Sequence, residues 1–216
     1  MIVFRCNKPW IINLCTLGTA KPPIRNLFLT SHKKIVSLIK SKCHFGREDD
    51  CIFLDPCRVN EPVCCDESIS PNKLFFYFYA TIFKRVLLHF PLFVFEKKLL
   101  IELNVAPAQL HPNSWAFARA FSILCDRLGI PPSVDVFLYL FEVKKLGHKL
   151  WVSVNSAPGR GILTFFQSSY KNFKGHFLKV CANKKHPDLL DGFPLYWTPE
   201  SNFKVARRLD NLSPAD

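Results

Sequence analysis

"LFFYFYATIFKRVLLHFPLFVF" occupies residues 74–95 and is the chain's one candidate for a membrane-crossing segment. Lys84, Arg85, His89 and Pro91 interrupt it. A charge near the bilayer centre costs about 2.5–3.5 kcal/mol on insertion scales, and the uninterrupted pieces are too short to span. The run therefore reads as core-forming elements. Phe75, Tyr79, Ile82, Phe83, Val86 and Leu87 fall on one side of a helix over 74–88. Pro91 separates it from a second helix over 92–103, where Leu92, Phe95, Leu99 and Leu103 make a stripe and Glu96, Lys97 and Glu102 lie mostly off it.

Downstream stands "LNVAPAQLHPNSWAFARAF", residues 103–121. Pro107 and Pro112 bar helix continuation, since proline lacks an N–H and disfavours helical geometry in the residue before it. Asn113 or Ser114 then occupies the expected N-cap, ahead of a helix whose Trp115, Ala118, Phe121, Cys125 and Leu128 recur at three- and four-residue spacing. Gly129 and the prolines at 131–132 end it, and Ser133 caps a further helix over 134–143. Could His111 and Ser114 instead be catalytic? A nucleophilic serine needs an oriented base and an oxyanion loop, and no third member or G-x-S-x-G motif is present. The stretch reads as a joint between helices. Trp115, Phe121, Leu124, Leu128, Phe137, Phe141, Trp151 and Phe165 form the expected core.

After residue 148 the period changes to that of strands. "KLWVSVNS" alternates, "APGRG" (157–161) is a turn, and "ILTFFQSS" is its partner strand, a hairpin. "FLKVC" is strand-like, "DG" (191–192) is a turn and "FPLYW" (193–197) is a last short strand. The resulting expectation is α+β: a helical N-terminal half of the domain, followed by a small antiparallel sheet with a hairpin.

The 216 residues are 49% apolar and 21% charged, a folding composition with Phe heavily used. Residues 1–62 differ from the rest. They are cysteine-rich and broken by Pro9, Pro22, Pro23, Pro56 and Pro62. They read as a poorly ordered arm of uncertain origin, with the domain over 63–212. An odd count of nine cysteines at irregular spacing, and no clear secretory signal, point to reduced thiols and an intracellular location, nuclear or cytoplasmic. Cysteines 43, 51, 57, 64 and 65 with His44 lack the close ligand pairs of structural zinc, so no metal is expected. The carboxylates of the domain, Glu96, Glu102, Asp126, Asp135 and Glu142 among them, show no strand-end grouping of the kind a two-metal strand-transfer site needs. There is no P-loop and no dinucleotide motif. No catalytic residue, cofactor or small-molecule substrate is inferred.

Charge is the positive signal. Lys plus Arg exceed Asp plus Glu by 29 − 17 = +12. Residues 142–186 hold nine Lys or Arg and one acid, Glu142. Such an excess favours polyanions, nucleic acid first. Lys144, Lys145, Lys149, Arg160, Lys171, Lys174 and Lys179 are the candidate contacts. Tyr170, Phe173 and Phe177 interleave with the later lysines, as base-stacking surfaces do. The same spacing also suits rings facing a core and lysines facing water.

"LNVAPAQLHPNSWAFARAFSILCDRLGI", "WVSVNSAPGRGILTFFQSSYKNFKGHFLKV" and "LLDGFPLYWTPE" resemble the plant putative transposon protein domain, also called a gypsy-type putative transposase domain. With "VCCDESISPNKLFFYFYATIFKRVLLHFPL" the resemblance covers about 63–216. It implies a retrotransposon-derived plant protein. The family has no established catalytic residues, so none carries over. Set against the family, the chain, which stops at "NLSPAD", reads as a truncated or decayed copy, and two departures support decay: "FVF" at 93–95 replaces a polar helix cap, and residues 1–45 match nothing in the family. The reading that follows is a non-catalytic, gag-like or accessory protein acting through self-association and weak non-specific contact with RNA or DNA. The alternative is a transposase or integrase catalysing strand transfer.

Overall fold

The computed structural model of the chain describes residues 52–57, 75–85, 90–146, 150–163, 176–182, 187–202, 207 and 212. The first described element is a strand, β1 (Ile52–Pro56), from the segment read as an arm. The next, β2 (Phe75–Tyr79), is also a strand. Four helices follow: α1 (Ala80–Arg85), α2 (Val94–Leu103), α3 (Pro112–Leu128) and α4 (Val134–Leu140). Then come β3 (Phe141–Lys145), β4 (Val152–Ser156), β5 (Phe177–Ala182) and a 3-10 turn over Pro187–Leu190.

This order overturns the expected α+β layout of a helical N-terminal half followed by a small sheet. Strands come first, and they form two antiparallel sheets. In one, β5 lies between β1 and β2. In the other, β3 pairs with β4. The helix expected over 74–88 is strand through Tyr79. Five consecutive aromatic residues are all buried there, and a short, fully apolar run carries no period that separates strand from helix. Aromatic side chains fit a pleated surface packed on both faces. The partner decides: Tyr77 lies opposite Lys179 and Phe78 opposite Leu178 on β5.

The hairpin is likewise corrected. Among the described residues β4 pairs with β3, in the register Phe141↔Ser156 to Lys145↔Val152. The Ala157–Gly161 turn exists, with Gly159 at φ 73° and the Arg160 N–H donating to the Ala157 carbonyl at 3.0 Å. Beyond it, 161–163 are not in a strand, and 164–169 lie outside the described residues. The helix expected over 134–143 stops at Leu140, because Phe141 turns extended at φ −126°, ψ 142° and opens β3. "FPLYW" forms no strand.

The helical signals downstream hold. On α2, Phe95, Leu99 and Leu103 are buried as the stripe required. Gly129 ends α3 in the left-handed region at φ 69°, and the Ile130 N–H donates back to the Cys125 carbonyl at 3.0 Å. The Ser133 hydroxyl accepts from the Val136 N–H. The core is aromatic: Phe78 meets Trp115 edge-on at 5.2 Å between centroids, and Phe137 stacks on Phe141 at 4.5 Å. Trp115, Phe121, Phe137 and Phe141 are buried as expected, while Leu124 and Trp151 are half-buried and Leu128 is 55% exposed at the end of α3. Phe165 lies outside the described residues. Among the described residues, no helix is long and apolar enough to cross a membrane.

Candidate functional site

The joint between α2 and α3, residues 104–111, is where distant parts of the chain converge. Asn104 takes the left-handed conformation at φ 49° and closes α2. Its side-chain amide donates to the Glu200 carbonyl at 3.0 Å. Gln109 is wholly buried, and both ends of its amide are used. Nε2 donates to the Leu150 carbonyl at 2.9 Å and the Thr198 carbonyl at 2.7 Å. Oε1 accepts from the N–H groups of Ala106 at 3.3 Å and Thr198 at 3.1 Å. One side chain thus satisfies four backbone groups drawn from three segments. Leu110 adds a parallel bridge to Val152, with the His111 N–H donating to the Val152 carbonyl at 2.8 Å and the Val152 N–H to the Gln109 carbonyl at 3.0 Å.

His111 and Ser114 complete this joint. The N-cap of α3 is His111, not Asn113 or Ser114: its Nδ1 accepts from the Asn113 N–H at 3.2 Å. The helix starts earlier than expected because Pro112 sits at its first position, where the missing N–H leaves nothing unsatisfied. The Ser114 hydroxyl is buried and accepts from the Val154 N–H of β4 at 2.7 Å. Trp115 Nε1 donates to the Pro107 carbonyl at 3.0 Å. Ser114 is thus turned toward β4, and His111 toward its own helix, an arrangement for holding two elements together. A polar residue between prolines, in a loop flanked by buried apolar positions, is the signal that singles out Gln109; sequence reasoning passed over it.

Two carboxylate arrangements are also structural. Arg207 bridges Glu102 of α2 and Asp135 of α4, at 2.6 Å from Nε to Asp135 Oδ1, and its guanidinium is held further toward the charged form by Asp135 first and then Glu102. Glu96 is wholly buried. Its Oε2 accepts the Phe93 N–H at 2.9 Å, while its Oε1 has no hydrogen-bond partner. Phe93, the N-cap, has no side-chain acceptor, so Glu96 supplies the half of a capping box that reaches back to the cap residue. Burial pushes its pKa up to about 7, against the opposing pull of the Phe93 N–H and the Arg119 charge. Among the described residues, no group of three or more His, Cys, Asp or Glu is placed to hold a metal ion. Most of the cysteine cluster considered for zinc lies outside them.

The described basic residues are divided between the two sheets and a turn. Lys144 and Lys145 are exposed on β3, with Lys144 ion-paired to Glu142. Arg160 is exposed on the turn after β4, where its Nη1 donates to the Tyr139 carbonyl at 2.9 Å and its guanidinium lies 4.2 Å from the Tyr139 ring centroid. Lys179 belongs to the other sheet. It sits on central β5, half-buried, with its ammonium 5.0 Å from the Phe75 ring centroid. Lys149, Lys171 and Lys174 lie outside the described residues. Phe177 is buried, as the core-facing reading required, and Tyr170 and Phe173 lie outside.

Residues 77–145 match a family described as "Putative gypsy type transposon". The match runs from β2 through all four helices to the end of β3, so it contains the α2–α3 joint. A gypsy-type transposon-related domain is present in this chain. No curated protein and no solved structure matches it.

Proposed function

We propose that this chain is a non-catalytic, gag-like or accessory protein of a gypsy-type element, nuclear or cytoplasmic, that contacts RNA or DNA weakly and without sequence preference and associates with itself. The observation that carries the reading is the nine-to-one excess of Lys and Arg over acids in residues 142–186. Lys144, Lys145 and Arg160 are its solvent-exposed described members. Exposed cations on a strand and a turn suit contact with phosphate, which carries no sequence information.

The test is a titration of the purified full chain against RNA and duplex DNA at several salt concentrations. Affinities of about 10⁻⁴–10⁻⁶ M at physiological salt are expected, with each phosphate neutralised contributing about −0.9 to the slope of log K against log salt on duplex DNA. Replacing Lys144 and Lys145 by alanine flattens that slope by up to roughly 2 and leaves sequence preference unchanged. A slope of zero, or one unchanged by the substitutions, overturns the role of this basic surface. Strand joining dependent on Mg²⁺ or Mn²⁺ overturns the non-catalytic reading.

A further inference from the structure

Beyond the basic strand lies a second surface of different chemistry. α2 buries Phe95, Leu99, Leu100 and Leu103 against the core, and its opposite side carries exposed aliphatic residues as well as lysines. Val94 is 70% exposed, Ile101 49%, and the cap residue Phe93 50%. Lys98 is exposed between them and Lys97 half-buried. Residues three and four apart are neighbours on a helix, so Val94, Lys97, Lys98 and Ile101 share one side. From α3, Arg119 reaches over the Phe93 ring at 5.6 Å from its centroid.

The acids of α2 do not offset these cations at the surface. Glu96 points inward and is wholly buried, and the Glu102 carboxylate is held by Arg207. The result is an apolar strip with cationic edges. We infer that this outer face of α2 docks an acidic amphipathic helix from a partner protein, with apolar side chains on Val94, Ile101 and Phe93 and carboxylates on Lys97, Lys98 and Arg119. Charge complementarity selects the occupant. A second copy presenting the same face would set like charges against one another. Nucleic acid would use the cations and the ring but gain little from two exposed aliphatic side chains. A helix laid along α2 uses all of them.

The probe is a fluorescent synthetic peptide of roughly 18 residues, long enough to be helical, with Leu at three- and four-residue spacing and Glu on both flanks. A control peptide carries Lys in place of Glu. The full chain is expected to bind the Glu peptide at least tenfold more tightly than the Lys peptide. Val94→Ser with Ile101→Ser weakens the Glu peptide at least tenfold. Lys97→Glu with Lys98→Glu reverses the preference toward the Lys peptide, a gain that misfolding cannot produce. Val94, Ile101 and Lys98 are exposed and Lys97 is half-buried, and unchanged circular dichroism shows the fold intact. Failure of the Glu peptide to bind, or equal binding to wild type and both variants, overturns the inference. So does oligothymidylate or phosphatidylserine-vesicle binding that these variants abolish while peptide binding is absent. Lys144 and Lys145 take no part here, so their substitution leaves peptide binding unchanged whichever way the nucleic-acid titration falls.

Discussion

Glu96 shows what one buried charge does to a fold. Its carboxyl is raised from 4.5 to about 7, chiefly by burial. A folded-state pKa above the unfolded value means the native state holds the proton more tightly. The stability this group contributes is therefore fully present below about pH 4.5 and is lost as pH rises towards 7. With about 1.4 kcal/mol per pKa unit, the loss is on the order of 3 kcal/mol. Glu96→Gln keeps an oxygen for the Phe93 N–H and carries no charge. Urea midpoints at pH 5 and pH 8 should converge in this variant, relative to wild type, and its midpoint at pH 8 should be higher. A wild-type midpoint no more pH-dependent than the variant's would show that the carboxyl is solvated in solution. Trp115 is the apolar counterpart. It is wholly buried, with its Nε1 donating to the Pro107 carbonyl and its ring in edge-on contact with Phe78. Trp115→Ala should cost roughly 3–5 kcal/mol by chemical denaturation, and a cost below about 1 kcal/mol would contradict this packing.

At the scale of elements, the start of α3 depends on a single acceptor. His111→Ala removes the cap and should lower stability by about 0.5–2 kcal/mol, whereas His111→Asn, a strong N-cap residue, should nearly restore it. Equal losses in the two variants would place the role of His111 elsewhere. The joint that precedes α3 is held more firmly. Gln109→Leu leaves four backbone groups without the partner they now have. At about 1–3 kcal/mol for each buried group left unsatisfied, the variant should unfold or lose more than about 3 kcal/mol. Arg207→Ala breaks two ion pairs with Glu102 and Asp135 that are partly open to water. Exposed pairs contribute about 0–1 kcal/mol, so this variant should be clearly milder. A reversed ranking of their thermal midpoints would mean that the Arg207 bridge, and not the Gln109 contacts, is the stronger of these two tethers.

Across the whole molecule, the two sheets and the α2–α3 joint link regions far apart in sequence, and this is where reading the sequence alone succeeded and failed. The sequence determined what is local. Gly129 ends α3 because a left-handed residue costs least without a Cβ, Ser133 caps α4 because its hydroxyl meets an N–H three residues on, and the α2 stripe follows from the helical repeat. His111 and Ser114 were legible as structural for a similar reason, since no catalytic partner stands near them in the chain. Tertiary structure decided what depends on a distant partner. Phe75–Tyr79 is strand because β5, from the far end of the chain, supplies its hydrogen bonds. Phe141–Lys145 leaves the helix because β4 offers a ladder, and β4 in turn is anchored by Leu110, Gln109 and Ser114. The seven candidate basic residues are dense along the chain. Lys144 and Lys179 fall on different sheets because strand pairing, not spacing along the sequence, sets which side chains share a surface. Burial, too, is a property of the fold: nothing in the composition of α2 distinguishes Glu96, sealed in the core, from Lys98, open to water, until α3 and α4 are packed against it.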